Sequence, residues 1–210
     1  MGLGAYFPFR QAGRMETNVA PHGRVWLRAD HDTKAFALAF VNTYDPLRPA
    51  VDLLANPEHA RVFLSEWCEM DWDLDWGKVA RRLQLYRDDL RNSLSRFIAG
   101  TLALDDLTHH LEHKLMHWPW IAHPVTDERS LRVLFVPSPQ LQPVQHVEAV
   151  VTRGLADLIA EFGPKRLRQC ESQPCEEIFV DHSKSGRQRF CGKRCATRFN
   201  VAMFRKRQAN

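Results

Sequence analysis

Apolar residues recur at helical spacing through most of the first three quarters of the chain. Between Gly77 and Gly100 the positions Val79, Leu83, Leu85, Tyr86, Leu90, Leu94, Phe97 and Ile98 recur at that spacing, which predicts the longest helix. Asn56 followed by Pro57 reads as an N-cap and first helical residue, opening a helix that runs to about Trp67. Asp105 and Asp106 read as the cap of another, ending near His117, and Val144 to Phe162 as a last amphipathic helix stopped by Gly163-Pro164. The compact apolar run from Lys34 to Tyr44 reads as a first helix or as a strand entering a loop. Shorter alternating stretches predict strands at Arg24 to Arg28, Trp118 to Ile121 and Leu131 to Val136, while Met70 to Trp76 alternates acid and aromatic as a strand or a loop pinning its tryptophans. Residues 1–24 carry no period and read as a loosely ordered lead-in.

After Gly163 the pattern changes to short, turn-rich pieces. Glu177 to Asp181 alternates, Ser183 to Gly186 is a turn cluster, and Arg187 to Cys191 is a second extended run, which together predict a β-hairpin. Beyond Gly192 a helical stripe returns at Phe199, Ala202, Met203 and Lys206, with Cys195 in its first turn, where exposed N–H groups favour a thiolate. The expected fold class is α+β, mainly α: a helical domain with a few short strands over residues 25–162, then a small treble-clef-like module over 163–210.

Composition narrows the picture. At 210 residues there is room for one ordinary domain and a small one, and a 44% hydrophobic fraction with six Trp supports a real core. No secretory apolar segment and no apolar run of about 18 residues stand in the chain, and the cysteine usage suits a reducing compartment, so the expectation is a cytoplasmic protein with no membrane partner.

Four of the five cysteines lie within 26 positions as Cys170, Cys175, Cys191 and Cys195, spaced C-x4-C-x15-C-x3-C. Two close pairs joined by a returning segment can bring four sulfurs to the corners of a tetrahedron, as one structural Zn²⁺ requires. Iron–sulfur clusters prefer other spacings and fewer flanking arginines. Four thiolates leave no open position for water or substrate, so the metal is expected to be structural and its binding free energy, roughly 10–16 kcal/mol, to be folding free energy.

Charge is divided unevenly. Of 29 Lys and Arg and 25 Asp and Glu, twelve bases and four acids fall in residues 163–210, a net +8, which leaves seventeen against twenty-one, or −4, for residues 1–162. A basic module on a mildly acidic body points to a polyanion partner at one end. Its candidate contacts are Arg187, Arg189, Lys193, Arg194, Arg198, Arg205, Lys206 and Arg207.

These residues carry a resemblance. Leu167 to Gln208 resembles the CGNR zinc finger family, with paired cysteines flanking Phe179-Val-Asp181-His-Ser183, an arginine-rich run into the fourth cysteine, and a basic helix. The namesake Cys-Gly-Asn-Arg is Cys195-Ala196-Thr197-Arg198 here, keeping the Cys and the Arg. Ala39-Phe40-Val41-Asn42-Thr43 is similar to the signature near the start of the ABATE domain, which commonly precedes such a finger, with Ala39 where Asp is usual. The resemblance implies a DNA-binding transcriptional regulator whose N-terminal domain responds to stress or to an unidentified small ligand.

Other functions stay open at this point: a zinc-stabilised adapter for an acidic protein, RNA binding, and a homodimer formed through a tryptophan-rich surface. No nucleophile–base pair, phosphate-cradling glycine loop or open metal site suggests an enzyme. His109, His113 and His117 share one helical face but lack carboxylate or thiol partners, so a solvated face is the expectation. Trp67, Trp72, Trp76, Trp118 and Trp120 are expected in core packing rather than in a ligand cage, and Cys68 as a buried thiol.

Overall fold

The computed structural model describes residues 26–27, 32–69, 73–127 and 130–208; the lead-in and Met70 to Trp72 lie outside them. Within that span the chain is mainly helical with three two-stranded ribbons, the α+β, mainly α class expected from the pattern.

Strand β1 (Trp26–Leu27) pairs antiparallel with β2 (Cys68–Glu69). Helix α1 (Thr33–Val41) starts where the Asp32 carboxylate accepts the Lys34 N–H at 2.8 Å, and it buries Phe36, Ala37, Phe40 and Val41. The Phe36 ring lies 5.5 Å from Trp67 and 6.2 Å from Phe63, fastening α1 to α2 (Pro57–Trp67). The Asn56 side chain caps α2 by accepting from Glu58 and His59 N–H, as its Asn-Pro start predicts.

Helix α3 (Trp76–Ile98) is the longest, and its core face is not wholly apolar: Arg87 and Arg91 are buried beside Val79, Leu83, Leu90 and Leu94. Arg87 forks onto Asp52, with bonds of 2.9 and 2.8 Å, and onto the Thr43 hydroxyl at 3.0 Å. Asp52 also caps the 3-10 turn Leu53–Ala55 through the Leu54 N–H. Burial alone would raise the Asp52 carboxyl, but hydrogen bonds from Arg87 and Gln84 outweigh it and hold the group below the usual range.

Helix α4 (Leu104–Met116) is capped at Ala103 without a side-chain bond, so Asp105 and Asp106 sit in its first turn rather than at its cap. They favour the helix through its dipole instead. Strands β3 (Trp120–Asp127) and β4 (Ser130–Pro137) form a hairpin in which Trp120 opposes Pro137. Helix α5 (Pro143–Phe162) then crosses α1 so closely that a Cβ on Gly154 would lie 2.3 Å from the Thr33 carbonyl oxygen. It ends at Gly163, whose φ of 83° suits glycine.

A 3-10 turn at Pro164–Arg166 leads into β5 (Leu167–Gln169), which pairs with β6 (Ile178–Val180) in register Leu167↔Val180. The hairpin expected between 177–181 and 187–191 is therefore not the one formed. All three residues of β6 are buried: Ile178 and Val180 join Leu167 in the core of the helical body, while Phe179 packs on the cysteine cluster. A strand covered on both sides gains more from Leu167 than from the polar Arg187-Gln188-Arg189 run. That run is held by a turn instead, in which Asp181 accepts from Ser183 N–H, Ser183 Oγ and Gln188 N–H. Helix α6 (Lys193–Gln208) closes the described chain.

Candidate metal centre

The β5–β6 ribbon sets the first two ligands. Cys170 follows β5 directly, its N–H donating to the Glu177 carbonyl at 2.9 Å, and a turn closed by Cys175 N–H to the Ser172 carbonyl, 2.8 Å, returns the chain. Cys191 precedes α6, and Cys195 lies in its first turn. The return segment is tied across by Glu171 N–H to the Arg189 carbonyl, 3.0 Å.

These elements bring the sulfurs of Cys170, Cys175, Cys191 and Cys195 within 4.8 Å of one another. The Cys175–Cys191 and Cys191–Cys195 separations are 3.9 and 3.6 Å. A tetrahedral Zn–S distance of about 2.3 Å places sulfur pairs about 3.8 Å apart, so the cage has the size that zinc needs. Cys170, Cys175 and Cys195 are buried and Cys191 is half-buried among Phe179 and Phe190. The cluster is a structural site for one Zn²⁺.

Electrostatics explain why the cage needs a cation. Burial raises the Cys175 thiol to about 12, helped by the neighbouring sulfurs, and burial together with Glu177 and the other sulfurs raises the Cys191 thiol as well. At Cys170 burial opposes ionisation, yet N–H groups of Cys191 and Ser172 outweigh it and lower the thiol. A shared dication offsets the mutual repulsion of clustered thiolates and displaces their protons on binding. A further donor faces the ligands: Arg198 Nη1 lies 3.6 Å from Cys195 Sγ, one turn along α6. A guanidinium there offsets part of the net −2 that four thiolates leave on Zn²⁺.

The other basic residues divide into two groups. Arg189 pairs with Glu171 at 2.7 Å and lies 4.9 Å over the Phe199 ring, which itself meets Phe190 at 5.0 Å. Arg187, Lys193, Arg194, Arg205, Lys206 and Arg207 are exposed. From Val201 onward every residue of α6 through Gln208 is exposed, so the distal half of the helix stands clear of the body.

Elsewhere the decoys resolve as structure. His109, His113 and His117 are exposed, and His117 Nδ1 bonds the His113 carbonyl; among the described residues they form no metal-holding group. Trp67 and Trp76 pack on the core, the Trp120 N–H donates to the Leu115 carbonyl, Trp118 is half-buried beside His117, and Cys68 is buried.

The sequence reading missed the side chains that meet the zinc module from the helical body. Buried Asn42 donates Nδ2–H to the Ile178 carbonyl at 2.7 Å and accepts the Ile178 N–H at 2.9 Å. Arg91 donates to the carbonyls of Val41 and Glu176 at 3.0 and 2.7 Å. One signal could have pointed there: arginines at 87 and 91 interrupt the apolar face of α3 one turn apart.

Residues 166–208 match the model of the CGNR zinc finger family. No curated protein matches the chain.

Proposed function

We propose that the protein is a DNA-binding transcriptional regulator whose zinc module presents α6 to a duplex. The observation that carries this reading is the distal half of α6, exposed on every side and ending in Arg205-Lys206-Arg207. A helix surrounded by solvent buries little against its own body; a groove about 12 Å wide contacts such a helix on several sides at once. Arg187, Lys193 and Arg194 extend the cationic surface toward the metal end, supporting phosphate contacts that fix orientation. Arg189 and Arg198 keep further N–H donors beyond Glu171 and Cys195 and complete the proposed set. The zinc is structural in this account, and the helical body, similar to an ABATE domain, is the part that would respond to a ligand or stress.

A second reading is favoured by Val201, Met203 and Phe204, apolar residues 40–57% exposed on the same helix. They suit a zinc-stabilised adapter that docks an acidic protein with an apolar groove.

Selection of bound fragments from random duplex DNA against a total-RNA competitor, with metal content measured on the same sample, separates these functions. Enrichment of DNA fragments by the zinc-loaded protein is expected. Retention of RNA in preference to duplex, or of neither, would contradict DNA as the partner.

A further inference from the structure

The Val41-Asn42-Thr43 stretch is absorbed neither by the zinc site nor by the basic helix, yet the Val41 carbonyl and the Asn42 and Thr43 side chains all bond residues far along the chain. Asn42, 7% exposed, behaves as an extra strand residue for β6: its amide pairs with both backbone groups of Ile178, a residue 136 positions away. Arg91, 8% exposed, bridges the same junction by donating to Val41 O on α1 and to Glu176 O in the zinc module, with the Glu176 carboxylate 3.3 Å away. Its guanidinium also sits 5.5 Å over the Tyr44 ring, and the Arg87 guanidinium lies 5.8 Å from the same ring. Thr43 in turn accepts from Arg87, which holds Asp52.

The atoms on the zinc side belong to residues one and three positions after ligand Cys175. Glu177, between them, accepts the Cys170 N–H at its carbonyl. The metal cage and the partners of Asn42 and Arg91 are therefore one short piece of chain. Its strands are three residues long and cannot hold that geometry by their ladder alone. If the cage opens and this piece of chain shifts, the Asn42 amide loses both its acceptor and its donor at Ile178 and the Arg91 guanidinium its acceptor at Glu176, and each buried bond lost is costly.

We infer that Asn42 and Arg91 are positioning residues that fasten the zinc module to the helical body, so that metal occupancy of the cysteine cluster sets the stability of a body that contributes no ligand to it. Zinc loss is felt at the end of α1 and the middle of α3, and from there, through Thr43, Arg87 and Asp52, at the 3-10 turn. The coupling is reciprocal: weakening the joint weakens the hold on the metal. It rests on the zinc site and is independent of what α6 binds.

The test compares thermal melts of the full chain, zinc-loaded and chelator-stripped, for wild type, Asn42→Ala and Arg91→Lys, with zinc release to a chelating dye followed in parallel. A side chain that only stabilises its own surroundings lowers both melts equally and leaves the zinc-induced shift unchanged. The coupling predicts that the shift falls to less than half in Asn42→Ala, with one zinc still bound, and that zinc release quickens about tenfold from the loss of two buried hydrogen bonds. An unchanged shift and an unchanged release rate would overturn it. Hydrogen exchange on the wild type gives the same answer without a variant: zinc removal should speed exchange at residues 36–44 and 87–94, and equal protection there with and without zinc would also overturn it.

Discussion

Asp52 and Arg87 form the pair on which the residue scale turns. Arg87 is 1% exposed and gives two bonds to Asp52, with Thr43 and Asp88 taking the rest of its fork, so removing Asp52 leaves a buried guanidinium without its two-bond partner. Asp52→Ala should lower stability by about 3–5 kcal/mol in denaturant titration. Because the folded-state carboxyl is held below its ordinary value, its contribution is fully present above about pH 4 and is lost as pH falls through the depressed folded value. Acid melts should show this loss in wild type and not in Asp52→Asn. At the metal, Cys191→Ser should lose stoichiometric zinc and the fold of the tail, read by elemental analysis and exchange, while circular dichroism at 25 °C still reports the helices of the body. The cysteines were legible because their partners are set by local spacing. Asn42 and Arg91 were not, since their partners lie 136 and 85 positions away and only folding brings them together.

At the scale of elements, periodicity located the helices well because each buries one face, and that is the property a period reports. The two misplacements have physical causes. Asp105 and Asp106 resemble a cap in sequence, yet they serve α4 from within its first turn, where acids are equally favourable. The expected hairpin at 177–191 failed because alternation cannot say which neighbour a strand chooses, and Leu167 offered β6 an apolar partner that the Arg187 to Arg189 run could not. A tight helix contact was also hidden: Gly154 sits in an ordinary amphipathic pattern, and only the crossing of α1 and α5 reveals why it lacks a side chain. Gly154→Ala must push the helices apart against a backbone carbonyl. It should destabilise by at least about 1–3 kcal/mol despite the better helix propensity of alanine, and a gain in melting temperature would refute the packing.

For the molecule as a whole, a net +8 in residues 163–210 stands against −4 in residues 1–162, and zinc is what gives that positive charge a fixed shape. Among the described residues no helix is long and apolar enough to cross a membrane. The helical body adds to the zinc module through the shared core at Leu167, Ile178 and Val180, so the cationic helix leaves the body from an anchored base. Charge asymmetry and the sulfur cage were both readable from sequence; the exposure of α6 from Val201 onward was not, because its stripe of Phe199, Ala202 and Met203 looks like a packing face until its surroundings are seen.

The most direct test of the proposed role is the salt dependence of duplex DNA affinity for the zinc-loaded full chain, beside a variant with Arg205, Lys206 and Arg207 all changed to Ala. About six phosphate contacts predict that log affinity falls against log salt with a slope near −5, and that the variant loses roughly half of that slope. Binding indifferent to salt, or a slope that the three substitutions leave untouched, would contradict α6 as the element that meets nucleic acid.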